Sequence, residues 1–215
     1  MREALRRHIT GSLIVGLLCA VAALVFFAWL ANEVLAGETR GFDEAARSFV
    51  QGIASRRLTI AMRGLTTLGS VTVLLPLAGV AVAGLWSVGR RRAAWLLAIT
   101  MIGATLLDQV LKFAFQRPRP EPFFNTPLPK SYSFPSGHAL INCCFFGVMA
   151  AILTVRKRRR WVRIAIWTVA AVLVALIGFS RIYLGVHYAS DVVAGYLAAI
   201  VWIFTVSAVD RVLRA

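Results

Sequence analysis

Long apolar runs separated by short polar joints set the pattern of this chain. Six stretches, roughly 12 to 31, 66 to 88, 93 to 112, 138 to 155, 162 to 179 and 188 to 209, approach the ~20 residues that a helix needs to cross a hydrocarbon core. Backbone in lipid must satisfy its own hydrogen bonds, so each stretch predicts a helix. The expected fold is all-α: a polytopic membrane protein, a six-transmembrane-helix bundle forming a single domain over residues 1–215. The first run follows Arg2, Arg6 and Arg7, as a secretory signal would. Its apolar core from Leu13 to Ala31 exceeds the roughly 7 to 15 residues of a signal peptide, which predicts an uncleaved anchor.

Two joints are longer than the rest. Between the first and second spans, roughly residues 32 to 65, Phe42, Ala46, Phe49, Ile53 and Ala54 recur at steps of three and four among Asp43, Glu44, Arg47, Arg56 and Arg57. That spacing predicts an interfacial amphipathic helix on the membrane surface. It would border a lipid access path or act as a plain connector. The second joint, from about Phe113 to Gly137, holds six of the seven prolines, at 118, 120, 122, 127, 129 and 135. Proline removes a donor and breaks helices, so this is an ordered non-helical loop at the water interface. The remaining proline, Pro76, falls within the second span.

A composition of 59% hydrophobic residues excludes an ordinary soluble domain. The net charge of +15 would suggest nucleic acid, but the basic runs sit at the ends of apolar spans, and no nucleic-acid partner is expected. With the N-terminus inside, Arg90 to Arg92, Arg156 to Arg160, Arg163, Arg211, Arg214 and the three N-terminal arginines share one side. That side holds about 14 of the 24 basic residues and about 2 of the 9 acidic ones, Glu3 and Asp210. The balance is about +12 inside and about +3 outside, which predicts both termini in the cytoplasm. Cys19, Cys143 and Cys144 all lie in spans and read as small apolar packing residues. They have neither the spacing nor the partners of a zinc site, and no metal or other cofactor is expected.

Three polar motifs interrupt this apolar background: Lys112 to Pro120 (KFAFQRPRP), Pro135 to His138 (PSGH) and Ser180 to Asp191 (SRIYLGVHYASD). The first follows the third span, the second precedes the fourth, and the third bridges the fifth and sixth, so parity brings all three to the outer face. A phosphomonoester is dianionic and needs fixed cations and donors where charge develops. Lys112, Arg119 and Arg181 suit that task, arginine as a planar fork and lysine as a point charge. Ser136 stands where it would cap the fourth span, and Gly137 lets backbone N–H groups approach an anion. His187 and Asp191 are four apart at the start of the last span, so they share a helix face and the carboxylate orients the imidazole. Alone, such a pair is more often a structural ion pair or a metal-ligand fragment than a catalytic dyad. Asp108, four residues before Lys112 inside an apolar span, reads as its partner. Arg117 and Lys130 read as solvated loop charges, and Tyr183 and Tyr188 as interfacial anchors.

In these motifs the chain resembles the type 2 phosphatidic acid phosphatase family of integral membrane lipid phosphatases. The family signature, K-x6-R-P, then P-S-G-H, then S-R-x5-H-x3-D, is matched at every position between Lys112 and Asp191. The resemblance implies that His187 is a nucleophile forming a phosphohistidine and that His138 protonates the leaving group. Lys112, Arg119, Ser136, Gly137 and Arg181 match the family's phosphate-binding positions. It further implies metal-independent hydrolysis of lipid phosphates or diphosphates of the phosphatidylglycerophosphate, phosphatidate and undecaprenyl pyrophosphate class. With the topology above, the site would face the periplasm or cell exterior from a bacterial inner (plasma) membrane, and its partners would be the bilayer and a lipid phosphate. Phosphoryl transfer to another lipid from the same site, or a transporter or scaffold without catalysis, are the competing readings. Oligomeric state is not legible.

Overall fold

The structure, a computed structural model, describes residues 2–213 as backbone and residues 16–213 with their side chains. The charges of Arg2, Glu3, Arg6, Arg7 and Arg214, used above to set the topology, therefore lie outside the described side chains. Eight helices and no strands appear among the described residues: α1 (Arg2–Ala36), α2 (Arg40–Gly52), α3 (Arg56–Leu68), α4 (Val71–Ser87), α5 (Arg91–Phe115), α6 (Gly137–Thr154), α7 (Arg160–Tyr183) and α8 (Ala189–Val212). Five are long and apolar enough to cross a membrane, and a sixth crossing results if α3 and α4 count as one bent span.

Three expectations change. The second apolar stretch is not one straight helix from residue 66 to 88. It breaks at Gly69 and Ser70, and α3 and α4 meet at 46°. Asn142 on α6 explains how the break survives in an apolar setting. Its fully buried side-chain amide donates to the Gly69 carbonyl at 2.7 Å and to the His138 carbonyl at 2.8 Å, so a carbonyl freed from the helix keeps a donor. Next, the first long joint holds two helices, not one. The residues of α2 that turn toward the protein are Asp43 and Val50, while Phe42 and Phe49 point outward. Finally, Tyr183 is no interfacial anchor. It is 0% exposed, and its hydroxyl lies 2.9 Å from Thr59 Oγ1, clamping α3 to α7.

The core lies where α4, α5, α6 and α8 meet, around Leu74, Leu97, Met101, Leu140, Ile141 and Cys144. α1 packs along α8, and α7 packs against α6 and α3. Outward faces remain apolar: Leu106, Val110 and Phe113 on α5 and Ile164, Val169 and Val172 on α7 are exposed. A continuous apolar exterior of this kind is what a bilayer covers. α5 and α7 end, and α6 and α8 begin, at one end of the bundle, so the three polar motifs meet there. At the opposite end Arg92 pairs with Asp210, and Arg90 donates to the Ile152 carbonyl at 3.0 Å.

Candidate active site

The proline-rich loop is held at the site by a hydrogen bond within itself and by one to the start of α8. Ser133 N–H donates to the Arg117 carbonyl at 2.9 Å, and Ser136 N–H donates to the Asp191 carbonyl at 2.9 Å. The second bond ties PSGH directly to the start of α8. Gly195 makes that approach possible, because a Cβ there would sit 2.6 Å from the Ser136 carbonyl oxygen. Gly137 permits another: a Cβ would lie 2.7 Å from Asp108 Oδ1. The carboxylate thus rests against the N-terminus of α6, whose dipole favours negative charge.

His187 is buried in the turn between α7 and α8. Its Nδ1 lies 3.2 Å from Asp191 Oδ2, and its Nε2 lies 3.0 Å from Arg119 Nη1. Arginine only donates, so Nε2 is the acceptor and Nδ1 carries the proton directed at Asp191. Burial, chiefly, with Arg119 and Arg181 adding to it against the pull of Asp191, lowers the His187 pKa to about 3. The ring is neutral near pH 7, with its lone pair on Nε2. Asp191 Oδ2 also accepts from Ser133 Oγ and from Tyr188 N–H, the latter at 2.9 Å.

The cations gather around this imidazole. Arg119 donates to the carbonyls of Ser131 at 2.7 Å, Tyr132 at 3.0 Å and Val186 at 2.7 Å, which fixes its plane. Burial outweighs the carboxylates of Asp191 and Asp108 and lowers its pKa. Lys112 pairs with Asp108 at 2.7 Å, the partnership that their spacing predicts. Arg181 donates to Thr66 Oγ1 at the end of α3. His138 faces the Thr66 backbone, within electrostatic reach of Arg181, His187 and Lys112. Ser136 occupies the N-cap position of α6, but its hydroxyl caps nothing. That hydroxyl and Arg181 Nε are buried without a protein partner, leaving two donors that an anion would accept.

Four polar residues of the site were not legible as such. Arg117, read as a solvated loop charge, has a side chain only 14% exposed and bridges Asp43 at 2.8 Å and Asp191 at 2.6 Å. Its guanidinium lies 4.1 Å from the ring centre of Tyr188, which is half-buried beneath it and so does not stand as a free interfacial anchor. Asp43 comes from α2, Ser133 from the loop and Thr66 from α3. The one signal for Asp43 was a carboxylate on the amphipathic segment. Lys130 is exposed, as expected of a loop charge.

Residues 93–214 match the PAP2 superfamily, more than half of the chain. The chain belongs to that superfamily. It is 33% identical over 202 residues, covering 90% of this chain and 96% of the relative, to phosphatidylglycerophosphatase B of Bacillus subtilis. An undecaprenyl-diphosphatase of Sulfolobus acidocaldarius is 37% identical over 106 residues, 47% of either chain. The crystal structure of a transmembrane PAP2-type phosphatidylglycerolphosphate phosphatase from Bacillus subtilis superposes with a TM-score of 0.82 at 30% identity, covering 90% of this chain and 96% of the other. The PAP2 fold and the enzyme class therefore extend to this chain: it is an integral membrane lipid phosphatase.

Proposed function

We propose that the protein hydrolyses lipid phosphate monoesters or diphosphates of the phosphatidylglycerophosphate, phosphatidate and undecaprenyl pyrophosphate class through a phosphohistidine at His187. The observation that carries this reading is the dyad geometry, with Nδ1 held by Asp191 and Nε2 turned toward the cations. An imidazole held in that tautomer attacks phosphorus along the Nε2 lone pair. The Nε2–P bond forms as the ester P–O bond breaks, and Asp191 stabilises the imidazolium that results. His138 gives its proton to the leaving oxygen, then takes one from the water that cleaves the P–N bond. Lys112, Arg119 and Arg181, with Ser136 and the α6 N-terminus around Gly137, hold the phosphoryl oxygens and supply the positive charge without a metal. An Arg119 N–H donates to Nε2. Attack along that lone pair requires the Arg119 donor to turn from the nitrogen to a phosphate oxygen.

The site lies at the end of the bundle opposite Arg90 to Arg92 and Arg156 to Arg160. Positive-inside topology then favours both termini in the cytoplasm and the site on the outer face of a bacterial inner membrane. Phe42, Phe49 and Ile53, exposed along α2 and just beyond its end, suit a helix resting in the headgroup region beside the site, where the lipid tail can remain in the bilayer.

The test is phosphate release by purified protein in detergent with EDTA, against the three substrates named, with His187→Ala alongside. Release that the substitution abolishes is expected. Full activity in His187→Ala, or release that needs an added divalent cation, overturns the mechanism.

A further inference from the structure

α2 precedes every family motif, yet it delivers a carboxylate to the catalytic end of the bundle. Asp43 Oδ1 accepts from Ser190 N–H at 2.9 Å, and Oδ2 accepts from Ser190 Oγ at 2.7 Å and from Arg117 Nη2 at 2.8 Å. Ser190 lies in the first turn of α8, so a residue 147 positions away caps the helix that carries Asp191. Arg117 completes the link. Its Nη1 donates to Asp191 Oδ1 at 2.6 Å and to Ser190 Oγ at 2.8 Å.

The two oxygens of Asp191 are thus assigned separate tasks. Oδ2 faces His187, Ser133 and the Tyr188 N–H, and Oδ1 faces Arg117. With both oxygens held, the carboxylate cannot rotate away from the imidazole. A planar fork spanning two carboxylates is a geometry that lysine cannot reproduce. Arg117 is itself confined by the Tyr188 ring. Burial opposes its charge, but Asp191 and Asp43 outweigh burial and keep the guanidinium firmly protonated.

We propose that Asp43 and Arg117 are positioning residues that lock the Asp191–His187 dyad and couple the seating of α2 to the nucleophile. The proposal rests on the dyad reading above. Neither residue touches the phosphoryl group. Both act by holding Asp191 in the rotamer that orients Nδ1 and leaves Nε2 facing phosphorus. Because α2 also carries the outward-facing Phe42 and Phe49, the same bond network makes the dyad sensitive to how that helix sits against the rest of the molecule.

The experiment compares Asp43→Asn and Arg117→Lys with the parent enzyme for kcat, KM and melting temperature, and adds Arg117→Lys in an Asp191→Asn background. Loss of the partner that orients a metal-ligating histidine or carboxylate typically costs about 10- to 100-fold in activity, and a fall in kcat of the same order is expected here. KM should change less than about threefold, because phosphate contacts are untouched. If Arg117 acts through Asp191, the lysine substitution costs little further activity once Asp191 is already asparagine. Parent-like kcat in both single variants overturns the proposal, as does an additive loss in the double variant or a KM-only effect. His187→Ala, assayed in parallel, separates the two readings. An active His187→Ala would discard the dyad mechanism itself, whereas an inactive His187→Ala beside parent-like Asp43→Asn and Arg117→Lys would discard only this inference.

Discussion

Arg119 Nη1 stands 3.0 Å from His187 Nε2, so the guanidinium that the proposed mechanism assigns to phosphate binding rests on the lone pair of the proposed nucleophile. Four further bonds, to Ser131, Tyr132 and Val186, hold the guanidinium in that plane. Arg119→Lys keeps the charge and loses both the fork and the anchoring. Removal of one preorganised donor to a developing oxyanion typically costs about 100- to 1,000-fold in kcat, and a loss in that range is expected here. Steady-state phosphate release checks it, and a lysine variant with parent-like kcat would show that Arg119 does not contact the transferring group.

His187 yields a pH prediction of definite sign. Its folded pKa, about 3, lies below the roughly 6.5 of an unperturbed imidazole in the unfolded chain. The unfolded state therefore binds more protons between those values, and stability falls as pH falls through that window. The contribution is complete above about pH 6.5. The melting temperature of the parent should decline from pH 7 toward pH 4 more steeply than that of His187→Asn. Equal slopes would mean that the imidazole is solvated in the folded protein. In the proposed mechanism His187 stays unprotonated across this range, so an acid limb in kcat above pH 5 would come from another group.

Much of the candidate site could be read from the sequence because the residues that gather there lie in short motifs at helix ends. KFAFQRPRP, PSGH and SRIYLGVHYASD contain Lys112, Arg119, Ser136, Gly137, His138, Arg181, His187 and Asp191, and topological parity alone brings the three to one end. Asp43, Thr66, Ser133 and Arg117 were missed for a common reason. Each bonds to a residue far away in sequence, so no local spacing marks it, and a single charge in a polar loop resembles any solvated charge. The break at Gly69 escaped notice for a related reason. Residues 66 to 88 are apolar enough for one span, and the amide that satisfies the broken turn comes from Asn142, more than 70 positions later.

That amide makes Asn142 a structural prediction. Asn142→Leu removes the donor to the Gly69 carbonyl in a buried setting. Leaving a buried carbonyl unpaired costs on the order of 1–3 kcal/mol. A lowered melting temperature is expected, together with reduced activity, since Thr66, which contacts Arg181 and His138, lies three residues before the break. Parent-like stability in Asn142→Leu would mean that the bend does not depend on this bond.

Asp108 and Lys112 give the last prediction, in which a ligand should repair a fold defect. The pair is buried at 2.7 Å inside α5, and breaking such a pair by removing one partner typically costs about 3–5 kcal/mol, because the remaining charge is uncompensated. Asp108→Asn leaves Lys112 in that condition beside the proposed phosphate site. An anion bound there would neutralise it, so inorganic phosphate should raise the melting temperature of Asp108→Asn by more than it raises that of the parent. A thermal titration with phosphate, with sodium chloride at matched ionic strength as control, measures both shifts. Equal shifts would place the Lys112 ammonium outside the phosphate site and remove it from the set of phosphoryl ligands.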